Sequence, residues 1–157
     1  MTSQRQDRAP APARKFGYLV GAVVNAVLLY LANVRPGWRE LPFLTERMSD
    51  VLPLINLSLL VSVAANVLYL VFDPVWFRSL GQIAVAATGL VAALRTLQVF
   101  PFDFSPYEFD WATVARVVLV VAVVGSAISI VVELVRLVAH AGHATIGGGS
   151  ARPRGAV

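Results

Sequence analysis

The sequence predicts an all-α, polytopic membrane protein, a four-transmembrane-helix bundle with its N and C termini cytoplasmic. Three observations carry this reading. The 157 residues are 57% hydrophobic and 14% charged, with a mean hydropathy of +0.71, more apolar surface than one soluble core of this size can hide. The charged residues gather between long apolar runs instead of interrupting them, the pattern of helices dissolved in lipid. The cations concentrate towards the two ends of the chain, and Lys and Arg flanking membrane spans are retained on the cytoplasmic side.

Residues 1–15 hold Pro10, Pro12 and the cations Arg5, Arg8, Arg14 and Lys15. Such a composition buries little and reads as a disordered basic tail. The membrane domain is expected over 16–139, with helices at about 16–34, 51–72, 80–100 and 111–139. The first apolar run is longer than a signal-peptide core and has no small-residue cleavage site after it, so it reads as an uncleaved anchor. It ends at Arg35-Pro36-Gly37-Trp38, and the second run ends at Asp73-Pro74, where the residue before proline disfavours helix. The third carries Gln82, Arg95 and Gln98, polar groups mostly near enough to its ends to snorkel. The fourth is Val-rich and too long for an upright crossing, which predicts tilt or projection into the cytoplasm. Residues 140–157, Gly-rich with two arginines, read as a second disordered tail.

Four spans place both tails on one side. The Phe102–Asp110 connection, with Asp103, Glu108 and Asp110 but no cation, then lies outside, in line with the positive-inside rule. The connection before the second span shares that face, and its 41–46 portion reads as a short interfacial helix with Trp38 and Phe43 at headgroup depth. An internal echo sets Asn25, Tyr30 and Pro36-x-Trp38 against Asn66, Tyr69 and Pro74-x-Trp76; the shared need for a proline stop and an interfacial Trp explains most of it.

Candidate functional residues follow from spacing. Gly17, Gly21 and Asn25 recur every fourth residue, as do Ser58, Ser62 and Asn66, giving each of the first two helices a small, polar face. Asn25 and Asn66 fall at comparable depth, as a structural hydrogen bond of about 0.6 kcal/mol or as the lining of a solute path. Arg95 and Arg116 share the outer leaflet, as snorkelling charges or as an anion or lipid-phosphate site. Glu133 is an intramembrane acid one turn from Arg136, too far in depth from Arg95 to pair with it. The aromatic-acidic loop with Asp103, Glu108 and Asp110 reads as an outer cap, a docking surface or a weak cation site.

Several classes are set aside. Cys is absent, so disulfides, thiolate chemistry and iron–sulfur ligation are excluded. His140 and His143 lack a third ligand nearby, and no metal or other cofactor is expected. The +4 charge and pI near 10.1 belong to topology signals rather than a nucleic-acid stripe. The Gly-x-x-x-x-Gly-Lys, Gly-x-Ser-x-Gly and His-Glu-x-x-His signatures do not occur.

Phe-Gly-Tyr-Leu at residues 16–19, Pro-Gly-Trp at 36–38, Asp-Pro-x-Trp-Phe at 73–77 and Val-Phe-Pro-Phe-Asp-Phe-Ser at 99–105 together resemble a family of small uncharacterised four-helix integral membrane proteins of high-GC, actinobacterial-type bacteria. The resemblance implies the fold and brings no activity or site residues. The expected function is that of a non-enzymatic multi-pass protein of the cytoplasmic membrane, in contact with the lipid bilayer and either self-associating as a homo-oligomer or serving a larger membrane complex. The alternatives are a small channel or transporter lined by Asn25, Asn66, Arg95 and Glu133, and a lipid enzyme using the outer carboxylates.

Overall fold

A computed structural model describes residues 11–146 of the chain. Four helices run through it: α1 over Ala11–Asn33, α2 over Leu52–Val71, α3 over Val75–Val99 and α4 over Trp111–Ile146. Each contains a segment long and apolar enough to cross a bilayer, with mean hydropathies of 1.7, 2.1, 1.5 and 2.7 in chain order. Large apolar side chains face outward along all four: Val23, Val27 and Leu31 on α1, Leu60 and Val67 on α2, Leu80 and Val91 on α3, and Val121, Val131 and Val138 on α4 are all exposed. Apolar surface continuous over four helices has no stable contact with water. The chain is therefore a multi-pass α-helical membrane protein.

The helix ends are set by proline and by backbone geometry. Pro53 occupies the first turn of α2, where its missing N–H costs nothing. Asp73-Pro74 stops α2, and Pro74 then serves as the N-cap of α3, so α3 begins five residues before the expected 80. Trp76 reads as an interfacial residue, yet nothing between Val75 and Ser79 opposes helix. At the other end of α3, Phe100 takes the left-handed C-cap conformation at φ 44, and Pro101 prevents continuation. After α1 the chain reverses through a cis Arg35–Pro36 bond and Gly37 at φ 80, a conformation that favours glycine. Asp110 caps α4, accepting from the Thr113 amide at 3.0 Å and its hydroxyl at 2.6 Å.

Two helices outrun their apolar spans. α1 starts at Ala11, so Arg14 and Lys15, assigned to a disordered tail by composition, are helical. α4 continues to Ile146, and its 36 residues exceed the roughly 20 that cross a hydrocarbon core. Hydrophobicity marks where lipid ends, whereas a helix ends where a cap or breaker acts, and none stands at either place. Residues 1–10 and 147–157, the remainder of the two expected tails, lie outside the described residues, as do the side chains of His140 and His143.

The helices pack in the order α1–α2–α3–α4, and α1 and α4 share no extensive interface. Consecutive helices are antiparallel. Gly21 lies against Asn66, since a β-carbon there would sit 2.9 Å from the Asn66 amide oxygen. Asn33 and Asn56 exchange two amide hydrogen bonds of 2.8 Å. Between α2 and α3 the Tyr69 hydroxyl occupies the place of a Gly81 side chain, and Tyr69 is 1% exposed. Gly89 meets Ser126 across α3 and α4.

The tightest apolar packing lies at one end of the bundle, hereafter the cap end, and not between the spans. Trp38, Met48, Val51 and Val99 form a buried cluster, joined by Leu44, Leu52 and Ile55. Two short 3-10 turns, Trp38–Glu40 and Glu46–Asp50, flank an extended stretch that pairs with the second loop. The Thr45 amide donates to the Pro101 carbonyl at 3.0 Å and the Asp103 amide to the Phe43 carbonyl at 2.9 Å, closing an antiparallel bridge between Leu44 and Phe102. The interfacial helix expected over 41–46 is thus replaced by a strand-like segment, and Trp38 is buried rather than placed among headgroups. Backbone pairing to the second loop supplies the hydrogen bonds that a helix would otherwise make internally.

Candidate functional site

The missing α1–α4 interface leaves a groove whose walls come from all four helices. Asn25 of α1, Ser58 and Ser62 of α2, Gln82 and Gly89 of α3, and Gly125, Ser126 and Ser129 of α4 line a cavity of about 420 Å3. Small residues at these positions let the backbones stand open, and no atom of the protein lies within 4 Å of a β-carbon placed on Gly125. The groove wall is mostly apolar, with amide and hydroxyl groups set along it. Asn25 donates to the Gly21 carbonyl at 2.8 Å and Ser58 to that of Ile55 at 2.8 Å, while Gln82 is exposed and no hydrogen bond to it is seen among the described residues.

At the end away from the cap, hereafter the basic end, the groove opens into a second cavity of about 400 Å3 lined by Tyr18, Arg78, Ser79, Gln82, Glu133 and Arg136. Gln82 lines both, so the two spaces adjoin. Asp73, in the α2–α3 turn, organises the mouth: it accepts from Arg14 at 3.2 Å and from Tyr18 at 3.1 Å and forms an ion pair with Arg78 at 3.4 Å. That carboxylate ties the first turns of α1 to the start of α3. Arg78 also reaches the Tyr18 hydroxyl at 3.4 Å, and the Tyr69 hydroxyl donates to the Arg78 carbonyl at 3.1 Å. Glu133 is buried and pairs with Arg136 at 2.6 Å, a short charge-assisted bond.

The sequence-derived residues divide between these regions and others. Asn25, Ser58 and Ser62 line the groove, and Glu133 lines its mouth. Gly21 and Asn66 meet at the α1–α2 crossing, whereas Gly17 touches no neighbouring helix. Asn25 and Asn66 do not bond to each other; each donates to the carbonyl four residues back in its own helix, Asn66 to Ser62 at 2.8 Å. The reciprocal amide pair between α1 and α2 is Asn33–Asn56, which the four-residue spacing did not flag. Their placement on either side of the α1–α2 connection, Asn33 at the end of α1 and Asn56 in the second turn of α2, was the available signal.

Arg95 and Arg116 are not joined by any contact. Arg95 is exposed, and Arg116 stacks over the Phe100 ring at 4.8 Å, a cation–π contact. In the aromatic-acidic loop the carboxylates serve the loop itself. Asp103 accepts from the Ser105 amide at 3.0 Å, and this bond holds its carboxyl below the usual range. The Thr113 hydroxyl and amide hold that of Asp110 below it too. Glu108 is exposed beside them. No group of three or more His, Cys, Asp or Glu side chains placed to hold a metal occurs among the described residues. The rings of Phe43, Phe104, Tyr107 and Trp111 border an aromatic cavity at the same end.

The arrangement can bind within the bilayer. It presents a laterally open slot with polar groups set in a mostly apolar wall, and a charged mouth with three guanidinium groups. No family model, curated protein or solved structure matches the chain, so the geometry of this site carries the functional argument.

Proposed function

We propose that this is a non-enzymatic protein of the cytoplasmic membrane that works by association inside the bilayer, its α1–α4 groove receiving a further transmembrane helix. That helix belongs to a second copy of the chain or to a larger complex in which the protein is an accessory subunit. The basic end, with both tails, faces the cytoplasm, because its arginines follow the positive-inside rule and the cap-end loop of 102–110 has acidic residues only.

The observation that carries the reading is the groove's lining. Amide and hydroxyl groups facing acyl chains without partners cost about a few kcal/mol each, so lipid tails are a poor filling for a slot in which Gln82, Ser62, Ser126 and Ser129 stand among the apolar residues. A neighbouring helix satisfies both needs: small residues admit its backbone, and its polar side chains complete the hydrogen bonds. A solute path is less well supported, because Arg95 and Glu133 fall at opposite ends of the bundle and Asn66 is packed against Gly21.

The test is the particle mass in mild detergent, by native mass spectrometry, for the parent chain and for Gly125→Leu. The parent is expected as an oligomer or with a stoichiometric partner, and Gly125→Leu, which fills the groove, as a single chain of 16.9 kDa. A parent protein that is itself a single chain at all concentrations contradicts the reading.

A further inference from the structure

The cavity at the basic end is a different environment from the groove it adjoins, and its wall is dominated by hydrogen-bond donors. Arg78 engages Tyr18 and Asp73 through Nη1 alone, both at 3.4 Å, and Arg136 engages Glu133 through Nη1 alone. A guanidinium carries five N–H donors in a rigid fork, so each retains a free edge. Ser79 is 4% exposed, lines the cavity, and makes no hydrogen bond among the described residues. Its hydroxyl is therefore free to donate into the cavity. The first turn of α3 adds a third kind of donor: its N-cap is Pro74, with no side chain to accept from the leading amides, and Val75 of that turn lines the same cavity. Unsatisfied amides and the positive end of the helix dipole favour an anion there.

The acceptors are few and engaged. Glu133 is the one carboxylate on the cavity wall, and its Oε1 is held by Arg136 at 2.6 Å; Asp73 behind it is shared by Arg14, Tyr18 and Arg78. Two guanidinium groups against one carboxylate leave the lining positive. The cavity lies at the level where α1, α2 and α3 have a common end and apolar helix surface begins below it, which is where lipid phosphates lie. It also opens sideways, between α1 and α4, in the direction from which a lipid arrives.

We propose that this cavity binds a phosphate group, held by the free edges of Arg78 and Arg136, the Ser79 hydroxyl and the first turn of α3, with the headgroup of an anionic phospholipid as its source. A soluble phosphate ester shares the same chemistry and is separated by experiment. The site is independent of the helix-docking groove: it is defined by α3 and α4 residues at the mouth and stands whether or not a further helix fills the slot.

The full chain in mild detergent is incubated with phosphatidylglycerol, with phosphatidylcholine or with inorganic phosphate, and bound lipid and thermal unfolding are read by native mass spectrometry and circular dichroism. Phosphatidylglycerol is expected to be retained and to raise the unfolding temperature, with phosphatidylcholine ineffective. Arg136→Gln should weaken retention about tenfold, the loss of one charge-assisted bond pair, Ser79→Ala severalfold, and Arg95→Gln, at the cap end, not at all. Arg136, unlike Arg78, does not brace Asp73; because its replacement leaves the buried Glu133 without its partner, circular dichroism of each variant without lipid checks that it is folded, and Ser79→Ala tests the site with that ion pair intact. Stabilisation by inorganic phosphate alone, lost in Arg136→Gln and Ser79→Ala, upholds the phosphate site and assigns it to a soluble ester. Equal retention of the two lipids, or undiminished phosphatidylglycerol binding in the Arg136→Gln/Ser79→Ala double variant, overturns it.

Discussion

Replacing Gly81 by alanine tests the closest approach in the bundle. A β-carbon at this position overlaps the Tyr69 hydroxyl and falls 2.8 Å from Cζ and 3.1 Å from Cε1, well inside van der Waals contact. Tyr69 has little room to yield. It is 1% exposed, its ring lies 5.2 Å from that of Tyr18 and 6.1 Å from that of Phe77, and its hydroxyl is bonded to the Arg78 carbonyl. Overpacking of this kind costs about 1–3 kcal/mol, and a lost neutral hydrogen bond adds about 1 kcal/mol. Alanine's helix propensity returns at most about 1 kcal/mol, so packing wins and a net loss of about 1–3 kcal/mol is expected. The assay is reversible unfolding by sodium dodecyl sulphate in mixed micelles, followed by circular dichroism. The same substitution made on Tyr69→Phe, where the overlapping oxygen is gone, should cost about 1 kcal/mol less. A Gly81→Ala protein within about 0.5 kcal/mol of its parent, or an equal cost in both backgrounds, would refute the packing described here.

Further outcomes follow from other contacts. Asn56→Ala removes both bonds of the Asn33–Asn56 pair and should lower stability by about 1 kcal/mol in the same unfolding assay, whereas Gly17→Ala, whose β-carbon meets nothing, should raise it by up to about 1 kcal/mol through helix propensity. Leu44→Cys/Phe102→Cys places thiols across the antiparallel bridge in a chain with no other cysteine; oxidation should yield one intramolecular disulfide, seen as a gel shift reversed by reductant, and a failure to cross-link denies the cap. Asp110 has its carboxyl held below the usual range by the Thr113 hydroxyl and amide, so its capping contribution is complete above about pH 4, the unfolded carboxyl range, and fades as pH falls through the lower folded value. Hydrogen exchange at the Thr113 amide should therefore quicken under acid in the parent relative to intrinsic rates, and be fast at every pH in Asp110→Ala.

The four spans were legible because apolar runs and their Pro punctuation record the two constraints that act on every membrane helix, lipid contact and chain reversal. Helix limits were less so. Arg14 and Lys15 read as tail, and Trp76 as an interfacial residue outside the third span, since polarity changes there while helix geometry does not. The cap was illegible for another reason: Thr45 with Pro101 and Asp103 with Phe43 are bonds between backbones, and backbone pairing leaves no trace in side-chain identity. The polar residues of the groove were partly visible as four-residue spacing in α2, and Gly125, Ser129 and Glu133 repeat that spacing on α4, but Gln82 stands on α3 without such a stripe. Only the packing order, which separates α1 from α4, brings them to one slot. Arg14, Tyr18, Asp73 and Arg78 were missed as a group because they come from three segments that meet at one end of the bundle.

A photoreactive side chain placed at Ala122, on the groove wall, with a control at Val121, 64% exposed and outside that wall, asks directly what fills the slot in native membranes. Illumination should join Ala122 to a polypeptide, either another copy or one defined partner, while Val121 gives lipid adducts. Lipid adducts alone at both positions would contradict the account.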